Sequence, residues 1–347
     1  MEVLNLTSRK KETYDVQIKY SLLFECALGI AAITHKRLID TLEKSQSEWE
    51  EIRQSLSAEM IEHLRFVEKH NTWKALLQLL YREDFMNLSE FIQYINSLSE
   101  EELKYICIPF VGYTYQEKRR KAANGEMKAV QDLKELTSSN PFFPAYIDFI
   151  CKADIKMLKE HFITVMTGWY EAIIEPEAEK LSLILKQDYE TKCKMNEKMK
   201  AEEFVEWATG GVTYSPELSV HHVLLIPQYT YRPWNIEADI EDTKIFHYPI
   251  ANESIHPEDP YQPSYFLVHK HKALGDEARL RIVKLLFEKD RTLQEITEQL
   301  NLGKSTIHHH LKILRSAKLV DIQDAKYLLK KKALEAISKE LEFYLNH

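Results

Sequence analysis

Lys304, Ser305, Thr306, His308, His309, Lys312 and Arg315 crowd one short stretch near the C-terminus. Their chemistry is that of nucleic-acid contact: Ser, Thr and His can hydrogen-bond base edges, while Lys and Arg meet phosphates. The spacing matters as much as the residue types. Ile307, Leu311 and Leu314 recur at i, i+4 and i+7. A helix through this stretch must turn that stripe to the core and Lys304, Ser305, His308, His309 and Lys312 outward. An ordinary amphipathic helix with a solvated polar face is the competing reading, and the flanking elements weigh against it.

Thr292 is positioned to cap a helix over Leu293–Leu300 that buries Leu293, Ile296 and Leu300. Asn301 falls where the chain must leave that helix, and Asn tolerates the left-handed conformation this requires. Gly303 is an acceptable N-cap for the next helix. Two short helices across a three-residue turn form a helix-turn-helix. Upstream, His269–Leu274 closes one helix, and Asp276 caps another whose expected buried stripe is Leu280, Val283, Leu286 and Phe287. Downstream, Leu319–Leu329 reads as a tight hairpin that carries Asp321 and Asp324, with Lys326 as the basic residue near its tip. A final helix, Ala333–Leu345, aligns Leu334, Ile337, Leu341 and Leu345. That stripe is too apolar for a solvated terminal helix and is a candidate two-fold dimer seam. Helix, helix, helix-turn-helix, hairpin, helix is a winged-helix order.

The segments Ala273-Leu-Gly-Asp-Glu-Ala-Arg-Leu-Arg-Ile-Val-Lys-Leu-Leu286 and Ser305-Thr-Ile-His-His-His-Leu-Lys-Ile-Leu-Arg-Ser-Ala-Lys-Leu-Val320 resemble the ArsR/SmtB winged-helix repressors. The resemblance implies a homodimer joined by the first and last helices of this tail. It also implies recognition helices in successive major grooves of a palindromic operator. Two positions depart from the family: Glu277 stands where Pro is frequent, and Gly303 where Ser is frequent. The acidic hairpin opposes minor-groove contact by the wing. Residues 1–264 are similar to the helical extension that precedes the winged helix in some Bacillus-type ArsR-like regulators. Many family members sense metals through cysteines in the helix before the recognition helix. Leu293–Leu300 has none, so no metal site is expected at that position.

The overall charge of −8 argues against a nucleic-acid binder, but its distribution reverses the argument. Residues 265–347 hold 16 Lys+Arg against 11 Asp+Glu, whereas residues 1–264 hold 30 against 43. A basic tail on an acidic body is the asymmetry expected if only the tail meets phosphate.

At 347 residues the chain exceeds one comfortable core. The expected fold class is mainly α (α+β): a helical body with a small antiparallel sheet, then a C-terminal winged helix-turn-helix. The expected divisions are a helical body with an N-terminal strand over 1–200, the sheet portion over 201–250, a linker over 251–264 and the winged helix over 265–347. A strand is expected at Asp15–Tyr20, and further strands at Val212–Tyr214, Val220–Tyr231 and Thr243–Ile250, which are rich in β-branched and aromatic residues. Long helices are expected at Ala153–Ile174 and Pro176–Met199. The linker assignment rests on Pro257, Pro260 and Pro263 in an aperiodic run. The apolar run Leu22–Ile33 is too short to span a bilayer and reads as a buried helix. No export segment is expected from the first residues, and Cys26, Cys107, Cys151 and Cys193 are spaced as expected of free thiols in a reducing cytoplasm.

Other chemistries find little footing. The eight glycines are dispersed and form no phosphate loop. No nucleophile elbow or zinc-protease motif is present, so no catalytic residue, cofactor or metal is assigned. Consecutive residues of one helix diverge by about 100°, so His308-His309-His310 cannot all aim at one ion. Glu171 with Glu175 reads as a solvated face, and the basic run Lys118–Lys121 as a solvated turn. Tyr229, Tyr231, Trp234 and Tyr248 are a candidate pocket for a small organic effector, although cross-strand pairing explains them as well. The expected protein is a cytoplasmic, homodimeric DNA-binding transcriptional regulator with double-stranded DNA as partner. Two alternatives stay open: a winged helix used for protein–protein contact, and an enzymatic body carried by a DNA-anchoring tail.

Overall fold

The computed structural model describes residues 13–259 and 261–346. The first twelve residues, where an export segment would lie, and Pro260 of the expected linker are outside the described residues. The chain divides into two compact units: Met1–Lys194 with Pro216–Pro249, and Met195–Ser215 with Ile250–His347. Among the described residues no helix is long and apolar enough to cross a membrane.

The first unit is built on a central helix, Leu22–Thr34, whose residues Leu23 to Ile33 are all buried. The Ser21 hydroxyl starts it by accepting from the Leu23 amide at 3.2 Å. Helices Ala58–His70, Trp73–Leu80 and Ile155–Trp169 surround it. Gly29 allows the closest approach, because a Cβ there would lie 2.5 Å from the Trp169 indole nitrogen. One buried charge interrupts the apolar helix: the Glu25 carboxylate accepts the amides of Tyr229 at 2.6 Å and Thr230 at 3.0 Å, and the Thr230 hydroxyl at 2.6 Å. These bonds satisfy the carboxylate and tie the helix to the turn after the second strand.

The sheet of this unit has the order β1 (Asp15–Ile18), β2 (His222–Gln228), β4 (Thr243–Pro249), β3 (Ile236–Ile240). β1 and β2 run parallel, as do β2 and β4; β3 and β4 alone are antiparallel. The sheet is therefore mixed, not antiparallel as expected. The cause is topological: the β3–β4 hairpin returns its second strand against β2, which leaves β3 at the edge. Val212–Tyr214 forms no strand. β3 was not anticipated. It is an edge strand whose Glu237 and Asp239 face solvent around buried Ala238, and so it lacks a strong apolar signature.

The helix Ile155–Trp169 passes through a π-turn, Tyr170–Ile174, and a 3₁₀ turn holding Pro176 into Ala178–Asn196. The expected break at Pro176 is a change of helical winding. Glu171 and Glu175 are exposed. The basic run is not a solvated turn, however. It lies in the helix Gln116–Ala123, where Arg119 is fully buried and donates to Glu241 at 2.8 Å and to the Ile108 carbonyl at 2.8 Å.

The second unit is the winged helix with additions. Its core joins Ala273, Ile282, Val283, Leu286, Ile296, Leu300, Ile307, Leu311, Leu314 and Leu319. The division differs from the expected one, because Met195–Ser215 belongs here and not with the sheet. A satellite helix, Ala201–Ala208, buries Phe204, Val205 and Ala208. Gly210 (φ 68°) then passes so close to Phe266 that a Cβ would sit 1.8 Å from its ring. The Gly211 carbonyl accepts the Lys330 ammonium. The expected linker is likewise attached to this unit. It holds the short helix Asn252–Ile255, the Asn252 amide donates to the Pro263 carbonyl at 3.0 Å, and the Tyr344 hydroxyl donates to the Tyr261 carbonyl at 2.7 Å.

Candidate nucleic-acid interface

The interface starts from the caps that fix two helices. Thr292 and Glu295 form a reciprocal capping box at the start of Leu293–Leu300. Hydrogen bonds from Thr292 lower the Glu295 pKa. Asn301 ends that helix in the left-handed region, at φ 52° and ψ 43°. Gly303 then opens the helix Lys304–Ser316 with no side-chain cap.

Within this second helix Ile307, Leu311 and Leu314 are completely buried. Their burial fixes the rotation of the helix about its axis. Lys304, Ser305, Thr306, His308, His309 and Arg315 are exposed, and Lys312 is half-buried. The first turn carries no acidic residue, so the positive end of the helix dipole is left uncompensated there. His310 leans inward, with its Nδ1 3.8 Å from Asp276. Burial lowers its pKa despite that carboxylate. The His309 and His310 rings are 6.0 Å apart and inclined at 59°. Among the described residues, no group of three or more His, Cys, Asp or Glu side chains could hold a metal ion.

The wing is a three-stranded sheet of order β5 (Arg291–Thr292), β7 (Lys326–Leu329), β6 (Val320–Gln323). Asp324 and Ala325 both take positive φ, 49° and 61°, as a two-residue type I′ hairpin turn demands. Lys326 is exposed beside the turn, but so are Asp321, Ile322 and Asp324. The charge on the wing is therefore mixed.

The helices that flank the motif differ from expectation in one respect. On Glu277–Glu288 the core side is Ile282, Val283 and Leu286, whereas Leu280 is 50 % and Phe287 51 % exposed. A helix this short presents only a narrow stripe to the core, and the neighbours Ile282 and Val283 occupy it. On the C-terminal helix Lys331–Asn346, Ile337 is buried in the core of its own unit and Leu334 packs against that core. Leu341 and Leu345 are 37 % and 71 % exposed. Half of the candidate dimer stripe thus closes this chain's own core, and the other half faces outward. Two anchors were missed in the sequence. Arg279 donates to the carbonyls of Ala273 at 2.6 Å and Lys272 at 3.0 Å. The buried Lys270 pairs with Glu340 at 2.5 Å, joining the helix Tyr265–Leu274 to the C-terminal helix. Nothing in the local pattern distinguishes these from solvated charges.

The aromatic residues of the first unit differ in exposure. Tyr248 is fully buried and donates to Asp188 at 2.8 Å. Tyr231 is 6 % exposed, and the Trp234 indole donates to the Thr41 hydroxyl at 3.0 Å. Tyr229 is 36 % exposed and Trp234 is half-buried.

Residues 276–321 match the family model described as bacterial regulatory protein, arsR family. The transcriptional repressor SdpR of Bacillus subtilis (strain 168) is 41 % identical over 49 residues, which is 14 % of this chain and 54 % of the relative. The chain thus spans about half the length of the curated relative it matches. No solved structure matches the chain. The turn, the buried triad and the paired strands of the wing all fall on or beside the matched segment, and the C-terminal unit carries a helix-turn-helix of the ArsR type.

Proposed function

We propose that the chain is a DNA-binding transcriptional regulator that binds a palindromic operator as a homodimer. The recognition helix is Lys304–Ser316. The observation that carries this reading is the clean division of that helix: Ile307, Leu311 and Leu314 are fully buried while Ser305, Thr306, His308 and His309 stand open. In this reading Ser305, Thr306, His308 and His309 address base edges. Lys304, Lys312 and Arg315 address phosphates, and Lys326 adds a contact from the wing. The exposed Leu341 and Leu345, with Leu280 and Phe287, supply apolar surface for a two-fold partner. The body is an effector or dimerisation module. Its buried Cys26, Cys107 and Cys151 suit a reducing cytoplasm.

Selection of bound sequences from a genomic library, followed by anisotropy titration, tests this. The double variant Ser305→Ala/His309→Ala should weaken operator binding by about 1–3 kcal/mol per lost base contact. Lys312→Ala should weaken all DNA about equally and flatten the dependence on salt. Unchanged operator affinity in the double variant would remove this helix from the interface. A second reading has one observation in its favour: Asp321, Ile322 and Asp324 are exposed together on the wing, which suits a protein partner better than phosphate. Absence of any salt-dependent DNA binding would favour it.

A further inference from the structure

A cavity of about 230 Å³ opens in the first unit where β1 ends and the central helix begins. Aromatic rings form much of its wall: Tyr20, Phe24, Phe85 and Tyr189 line it, and Met86, 84 % exposed, stands at its edge. The Tyr20 and Tyr189 rings pack against each other at 5.1 Å between centroids. Phe24 is held from behind by Tyr81 at 5.9 Å and by the edge-on His247 at 5.4 Å. These rings come from a strand end, a helix start, a loop and a distant helix, so the tertiary fold assembles them.

The charges around the cavity do not balance. Lys19, Glu83 and Asp84 all line it. Lys19 is taken by Asp84 at 2.7 Å, and Glu83 makes no ion pair among the described residues. One net negative charge therefore faces an aromatic-walled hollow. The N-terminus of the central helix also borders the cavity and would favour an anion by itself. That tendency is offset locally, because the Ser21 hydroxyl and carbonyl accept the Leu23 and Phe24 amides at 3.2 Å each, and the Glu25 carboxylate lies in the first turn. Aromatic faces and a carboxylate both attract a cation, and the rings also accept its apolar body.

We propose that this cavity binds a small free organic cation, an amine or quaternary ammonium with a compact apolar body. Tyr20, Tyr189 and Phe85 would contact the cationic group and Glu83 would supply its counter-charge. The site stands on its own and holds whether or not the C-terminal unit binds DNA.

The test uses the full chain, with choline as probe and 3,3-dimethylbutan-1-ol as its uncharged isostere. Ligand-observed saturation-transfer NMR and calorimetry would give the affinities. Choline should bind saturably and the isostere about fivefold or more weaker, as a cation–π contribution of this size implies. Glu83→Gln, at an exposed site that tolerates substitution, should weaken choline about fivefold without lowering the melting temperature. Tyr189→Leu should weaken it further. Equal binding of the isostere, no saturable choline binding at millimolar concentration, or indifference to Glu83→Gln would each overturn the proposal. Co-sedimentation with phosphatidylcholine vesicles would overturn its assignment to a free cation in favour of a lipid headgroup.

Discussion

Glu241 sits in the β3–β4 turn and gathers two arginines. Its carboxylate accepts from Arg119 at 2.8 Å and from Arg82 at 2.9 Å, and Arg119 is also stacked 4.5 Å from the Tyr105 ring. Burial works to raise its pKa, but the Arg119 hydrogen bond and the Arg82 charge outweigh it and hold the carboxyl at about 2. Glu241→Gln should cost about 3 kcal/mol in urea unfolding, because it leaves Arg119 as a buried cation without its counter-charge. A loss below about 1 kcal/mol would show that the carbonyls of Tyr105 and Ile108 suffice. Two histidines act in the opposite sense. His161 is held at about 3 by burial and by the neighbouring His63 and His70, and His247 at about 3 by burial and Lys74. Each is neutral in the fold, and the unfolded chain takes up their protons first, near pH 6.5. Their contribution to stability is complete above about pH 6.5 and declines as pH falls toward 3. At two protons, the expected slope is about 2.7 kcal/mol per pH unit below about pH 5.5. Urea midpoints between pH 7 and pH 5 would reveal it, and His161→Gln should reduce the slope by about half. A flat profile in the parent protein would mean that neither imidazole is shielded from protons.

Elements were legible in the sequence where one face meets solvent. The helix Lys304–Ser316, the cap at Thr292 and the left-handed Asn301 all follow from period and residue type, because each is a local decision of the chain; the reciprocal bond from Glu295 was added by the structure. The central helix Leu22–Thr34 shows its length but not its role, since burial on every side erases periodicity. The direction of the strands was not legible, because pairing of β1 with β2 is set by nearly the whole length of the first unit. The outward turn of Leu280 and Phe287 was hidden for a related reason: an apolar residue fits either a core or an unoccupied surface. Gly29 shows how little of packing the sequence displays. It reads as a mild helix weakness, yet the Trp169 indole occupies the space a side chain would need. Gly29→Ala should destabilise the first unit by about 2–3 kcal/mol despite alanine's better helix propensity. Thermal unfolding would check this, and a neutral or stabilising effect would mean that the indole moves aside at little cost.

At the scale of the whole molecule, the division of charge was legible and the division of the chain was not. Composition separates a basic tail from an acidic body, but it cannot show that Met195–Ser215 is claimed by the C-terminal unit. The attachment includes one bare backbone position, Gly210 against Phe266, one lysine, Lys330 on the Gly211 carbonyl, and the buried Phe204, Val205 and Ala208. A fragment beginning at residue 265 should therefore unfold at a lower temperature than the same unit in the intact chain. Adding a peptide of residues 195–215 should restore part of the difference, and equal melting of the two forms would mean that the satellite segment contributes nothing.

The chain changes unit after Lys194, after Ser215 and after Pro249. In heredity this interleaving makes the two units inseparable. A single crossover anywhere between residues 195 and 249 hands a descendant part of one unit and part of the other. A transfer that begins at residue 250 would carry the winged helix but leave the Gly210–Gly211 attachment behind.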